Sequence, residues 1–137
     1  MTLDEKREYL KQYQMAQNSI VGLTHELEKW QALGVRVNNA LSTGGSGSNV
    51  KQSKIEQSAV NTADILRTIQ TEIDGEIAKR QSIIESLNQN CKKYRHREIL
   101  KMRYIHGMSN SQIAKQLGKD TKSVSNLVTA ALKAYNV

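Results

Sequence analysis

The chain has 137 residues and a formal net charge of +7, with no Phe, no Pro, one Trp and only 4% aromatic residues. That is thin material for a sheet core, which draws on aromatic and β-branched side chains, whereas the absence of Pro suits long uninterrupted helices. No run approaches the roughly 18 apolar residues of a membrane span, and the opening MTLDEKREYLKQYQ is charged rather than a signal peptide. The composition predicts an all-α cytoplasmic protein with no membrane partner.

The charge is unevenly placed. Residues 92–137 carry ten Lys or Arg against two acids, Glu98 and Asp120, for a net +8; residues 1–91 carry ten bases and eleven acids, for −1. An asymmetry of this kind predicts a polyanionic partner for the last third alone, in preference to a merely solvated basic surface. The single Cys91 cannot form an internal disulfide, which fits a reducing compartment, and its place in a helical apolar pattern predicts packing. His25, His96 and His106 lack metal-ligand spacing and no nucleophile–base pair is visible. No metal, no cofactor and no catalytic residue is therefore expected.

In chain order, Tyr9, Tyr13, Ala16, Ile20, Leu23, Leu27, Trp30 and Val37 recur in steps of four and three, with Gly34 at the one skipped position. This heptad spacing predicts a helix packed along a coiled-coil-like seam, with Asp4, Glu5 and Glu8 complementing its dipole. The segment Ser42-Thr43-Gly44-Gly45-Ser46-Gly47-Ser48-Asn49 interrupts it and predicts a loop over 42–50. A phosphate-binding glycine loop is the alternative, but its Lys-Ser/Thr and the preceding strand are missing.

A second helical pattern follows through Ile55, Ala59, Leu66, Ile69, Ile73, Ile77, Ile84, Leu87 and Cys91, weakened only at Gly75. The two patterns, residues 3–41 and 51–89, would each run about 60 Å at the α-helical rise. Equal helices joined by a short Gly/Ser loop predict an antiparallel hairpin over residues 1–89, with residues 90–137 as a separate domain. A lone hairpin leaves its stripes half exposed, so a homodimer forming a four-helix bundle is the preferred expectation. The alternative is a monomer whose hairpin packs against its own C-terminal domain.

The Asn88-Gln89-Asn90 run predicts a break, and a new helix from about 91 to 106 follows with Tyr94, Ile99, Leu100, Met102, Tyr104 and Ile105. Gly107 suits its C-terminal cap, beside the helix-end residue His106. Ser109 and Gln112 then have capping-box spacing ahead of Ile113, Ala114 and Leu117, the inner face of a short helix. Gly118 permits a sharp left-handed turn, and Asp120 is placed to cap a further helix whose inner face is Val124, Leu127, Val128, Ala131 and Leu132.

These spacings predict a helix-turn-helix, a unit that lays its second helix in the major groove of double-stranded DNA. The expected base readers are Thr121, Lys122, Ser125, Asn126 and Thr129, with Asn126 suited to an adenine edge and Lys122 to a guanine. Arg103, Ser111, Lys115, Lys119 and Lys133 are the expected phosphate contacts. No Arg lies in the presumed recognition helix. A single copy would thus be a weak reader, helped by dimerisation or by another protein already on the DNA.

From Arg97 to Tyr135 the sequence resembles the C-terminal, promoter-reading domain (region 4) of bacterial sigma factors. The likeness lies in Leu100 to Tyr104 with Gly107, in Ile113 to Gly118, in Ser123-Val124 and in Ala131 to Tyr135. At the position after the turn glycine, apolar in that family, stands Lys119. The whole chain is similar in plan to the phage RinA/ArpU-like late transcription regulators. That resemblance implies a DNA-binding transcription regulator of phage origin, acting at a promoter in the bacterial host cytoplasm, with RNA polymerase as a further partner. Nothing resembles the sigma domain that melts promoters. Two other readings stay open: a small terminase subunit recognising packaging DNA, and a coiled-coil adaptor between proteins.

Overall fold

A computed structural model describes the backbone of residues 1–43 and 49–137, and the side chains of residues 1–36 and 61–137. The described residues are helical and contain no strand. Helix α1 spans Leu3–Thr43, α2 Asn49–Asn90, α3 Tyr94–Leu100, α4 Asn110–Leu117 and α5 Thr121–Ala134, and a π-helical turn, Lys101–Ile105, continues α3. The long helices pack against each other as an antiparallel hairpin, followed by a helix-turn-helix. The side chains of Val37, Ile55 and Ala59, and the centre of the expected 42–50 loop, lie outside the described residues.

By its own packing the chain divides into two compact units. One, Ser19–Glu76, consists of the facing stretches of α1 and α2. Among its described residues Thr62, Ile69 and Ile73 are buried, while Ile20, Leu23, Leu27 and Trp30 are half-buried. Gly34, the skipped seam position, lies where a Cβ would meet the Thr62 methyl at 3.5 Å, an ordinary contact. Two helices touch along one line only, so most of the described seam residues of α1 keep a flank in solvent while Ile69 and Ile73 of α2 are covered.

The other unit joins Met1–Asn18 to Ile77–Val137 and holds the main core. Leu10 of α1, and Ile83, Leu87 and Cys91 at the end of α2, are buried in one cluster with Ile99, Leu100, Tyr104, Ile113, Val124, Leu132 and Tyr135. Two of these residues differ from the heptad reading. Leu10 is fully buried although it falls outside the seam, and Ile83 rather than Ile84 enters the core. The cause is a second contact. At 100° per residue, Leu3, Lys6, Leu10 and Gln14 form a stripe roughly a quarter-turn from the Tyr9–Tyr13–Ala16 seam. The seam faces α2 and the stripe faces the C-terminal helices.

Polar groups on that stripe donate to carbonyls at the ends of helices. The nearly buried Lys6 donates from Nζ to the Leu132 carbonyl in the last turn of α5, at 3.0 Å. Gln14 donates from Nε2 to the carbonyls of Tyr104 and Ile105, at 3.2 and 2.6 Å. At the chain's other end, the Asn136 amide donates to the Asn90 carbonyl at 2.9 Å, and the Tyr135 and Ser86 hydroxyls share a hydrogen bond. Within this unit Arg80 donates to Gln17 and lies over the Tyr13 ring at 6.0 Å, which sets the antiparallel register of α1 on α2.

Two changes separate the roles of the units. The contact of Gln17 with Arg80 leaves only the interhelix spacing between Asn18 and Ile77, which about six Gly/Ser residues can bridge at ~3.3–3.6 Å each. A chain with 19–76 so replaced is expected to unfold in one cooperative thermal transition. Removing residues 1–18 instead should abolish that transition, and Leu10→Ala in the full chain should cost about 2–5 kcal/mol in denaturant unfolding.

Candidate nucleic-acid interface

The two C-terminal helices are positioned by caps and small residues. Ser109 accepts from the Gln112 amide at 3.2 Å while the Gln112 side chain accepts from the Ser109 amide at 2.9 Å, a complete capping box at the start of α4. Ile113 and Ala114 are buried at the crossing with α5. The helix ends at Gly118, whose φ of 65° and ψ of 34° are left-handed, and the Lys119 amide closes back on the Ala114 carbonyl at 3.0 Å. Asp120 then caps α5, accepting from the Ser123 amide at 2.7 Å. Hydrogen bonding from Ser123, its side chain first and its backbone second, holds the Asp120 carboxyl below the usual carboxylate range.

Along α5, Val124, Val128, Ala131 and Leu132 are buried and Leu127 is half-buried. The opposite face presents Thr121, Lys122, Ser125, Asn126 and Lys133 to solvent. Thr129 is half-buried and its hydroxyl already donates to the Ser125 carbonyl at 3.0 Å, so it offers a base chiefly its methyl group. Ser111, Lys115 and Lys119 are exposed on α4 and the turn. None of Lys115, Lys119, Lys122 and Lys133 is in an ion pair among the described residues. Arg103 is different. It is half-buried, lies over the Tyr104 ring at 5.6 Å and donates to the Met108 carbonyl at 3.4 Å, so its guanidinium is partly engaged in holding the π turn.

Three sequence expectations are corrected here. Leu117, placed on the inner face of α4, is 41% exposed, and Tyr94, expected within the helical apolar set, is 69% exposed. Both stand at the rim of a hollow of about 230 Å³ between α3, the turn and α5, lined also by Arg95, Glu98, Ile99, Met102, Lys119 and Leu127. The break expected at Asn88–Asn90 falls one turn-edge later, at residues 91–93, because α2 continues to Asn90. Cys91 is buried at that elbow, where desolvation pushes its thiol pKa up against the opposing charge of Arg97.

The α3 helix ends in a widened turn in which the His106 amide reaches the Lys101 carbonyl at 2.9 Å, five residues back. Gly107, with a φ of 67°, reverses the chain there, and a Cβ on it would meet the Gln14 side-chain amide at 3.4 Å. Lys6, Leu10 and Gln14 are therefore part of the reading head's support, which the heptad reading missed. The available signal was Leu3 and Leu10, seven residues apart and both off the seam.

An exposed polar helix held behind a capped, left-handed turn defines a helix-turn-helix. Residues 94–134, under a third of the chain, match the family model described as Sigma-70, region 4. The match covers α3, the π turn and both helices of the motif, so the C-terminal segment is a sigma-factor-like helix-turn-helix. No curated protein and no solved structure matches the chain. No described helix is long and apolar enough to cross a membrane, and no metal-binding cluster occurs among the described residues.

Two predictions follow from the turns. Gly118→Ala meets open space but forces a left-handed backbone on an L side chain, for about 1–2 kcal/mol. Gly107→Ala adds a crowded Gln14 amide and should cost more, read as a lower midpoint in urea. For Asp120 the folded pKa is depressed, so its contribution to stability is present above the unfolded carboxyl pKa and is lost as pH falls through the folded value. Asp120→Asn should therefore flatten the loss of thermal stability below about pH 4, and an unchanged acid limb would refute that role.

Proposed function

We propose that this protein is a sequence-specific DNA-binding transcription regulator that acts at a promoter. The observation that carries the proposal is the outward face of α5, where Lys122, Ser125 and Asn126 stand exposed within a stretch similar to sigma-70 region 4. In such a unit the N-terminal part of the second helix enters the major groove. Asn126 can bond an adenine in two places and Lys122 a guanine, each good contact contributing roughly 1–3 kcal/mol of discrimination. Thr121 and Thr129 complete the face. Ser111, Lys115, Lys119 and Lys133 hold phosphates and set the register, with Arg103 the least free of that set.

The reading extends to a phage regulator working in the bacterial host cytoplasm with RNA polymerase as a partner, supported by the sigma-like segment and the plan of a long helical segment before it. It also includes a homodimer formed through the hairpin. Support comes from the half-buried seam in Ser19–Glu76 and from Val21 and Val35, which share one side of α1 and are 48% and 58% exposed. A second copy laid on this face would bury those residues, and two modest readers would act as one.

Selection of bound sequences from a random DNA pool is the test. Enrichment of a two-part site is expected, and absence of enrichment at low salt overturns the reading. On the selected site, Lys122→Ala and Asn126→Ala should each cost about 1–3 kcal/mol. If both variants bind and regulate like the parent, the adaptor reading replaces this one. Sedimentation equilibrium is expected to return a dimer; a ring of many copies would favour the terminase reading.

A further inference from the structure

The recognition face accounts for only part of the basic charge. Lys92, Lys93 and Arg95, at the elbow between α2 and α3, are all exposed, and none forms an ion pair among the described residues. Their placement is fixed by what surrounds them. Cys91 is buried in the core directly before them, the Asn90 carbonyl is held by the Asn136 amide at 2.9 Å, and the Lys93 carbonyl accepts from the Arg97 amide at 3.0 Å. The elbow is thus pinned on both sides, and its cations project from a fixed backbone. Arg97 stands apart, half-buried with its guanidinium over the Tyr94 ring at 5.9 Å.

The elbow is also next to the reading head. Arg95 and Lys119 line the same hollow of about 230 Å³, together with Leu127 of α5. Lys119 immediately precedes Asp120, the N-cap of α5. A basic rim therefore runs from the elbow across the hollow to the end of α5 that enters the groove. Glu98, the one acid lining that hollow, is paired with neither cation.

We infer that Lys92, Lys93 and Arg95 form a second, sequence-independent contact with DNA, holding backbone phosphates that flank the site read by α5. The inference rests on the proposed DNA-binding function and adds to it a footprint longer than the recognition helix spans. Phosphate is the ligand that suits these residues, since they supply several separate cations along a rim and no enclosed pocket for a small anion.

The experiment compares the full-length protein with its Lys92→Gln/Lys93→Gln/Arg95→Gln variant and with Asn126→Ala. Each binds the selected site in a short duplex and in one extended by about ten base pairs on each side. The parent should bind the extended duplex more tightly and the triple variant should lose that gain while keeping the short-duplex affinity. Its plot of log affinity against log salt should be shallower by roughly 2–3, near 0.9 per lost phosphate contact. Asn126→Ala should weaken both duplexes alike and keep the gain on extension. Equal gain and equal salt slope in the triple variant overturn the inference, as does loss of binding to an acidic protein with DNA binding intact. If the parent prefers no sequence, the underlying function fails instead. Lys93→Gln alone, with a thermal midpoint matching the parent, should remove close to one unit of slope.

Discussion

The first turns of α1 must satisfy two partners at once, and the reading head depends on that. Leu10 is buried among side chains from α2, α3, α4 and α5, while Lys6 and Gln14 on either side of it donate to carbonyls at the ends of α5 and of the π turn. A Lys ammonium brought to low exposure is costly unless a strong acceptor faces it. The carbonyls in the last turn of a helix, which carry the negative end of its dipole, are such an acceptor. The Leu132 carbonyl also accepts from the Tyr135 amide at 3.2 Å, so Lys6 uses that oxygen's remaining lone pair to compensate a desolvated cation. Gln14 repeats the solution with an amide, whose atoms stand 3.4 Å from where a Cβ on the left-handed Gly107 would lie.

This arrangement changes what the hairpin is for. Residues 1–18 and 77–90 are walls of the unit that carries the helix-turn-helix as much as parts of the hairpin. The compact unit thus takes in more of the chain than the expected 90–137 segment. The described side chains of residues 19–36 and 61–76 have the thin, half-open packing of a two-helix layer. Any orientation imposed on the ends of α1 and α2 is passed to α3 and α5 through buried side chains, without a hinge of Gly or Pro at the elbow.

Much of this was legible in the sequence because the relevant signals are local. Ser109 with Gln112, Gly118 and Asp120 each specify a cap or turn through atoms within five residues, and all take the expected geometry. The heptad spacing likewise located both long helices. Periodicity reads one face at a time, however, and α1 has two. Leu10 looked like an off-register residue because the core it joins, from Ile83 to Tyr135, lies far along the chain. Leu117 shows the converse: helical spacing put it inside, but the chain turns at Gly118 before α5 can cover it, leaving it on the rim of the hollow. The π turn has no comparable local signal in Lys101–Ile105.

Folding and binding make opposite demands on the start of α5. A helix N-terminus there attracts an anion, and a DNA phosphate approaching the turn could supply one. Asp120 already fills the role, bonded to the Ser123 amide, so the turn is stable in the absence of DNA. The consequence is a fixed negative charge at the edge of the surface that the proposed function turns toward phosphates. Lys119 and Lys122 stand on either side of it in sequence, exposed and free of ion pairs among the described residues. They offset that charge without reaching a carboxylate that is already hydrogen-bonded. In the complex proposed above, attraction to the backbone would fall to cations beyond the cap, at Lys115, Lys133 and the elbow. The start of α5 is preorganised by its own acid, and the bases assigned to phosphates in that proposal stand around it.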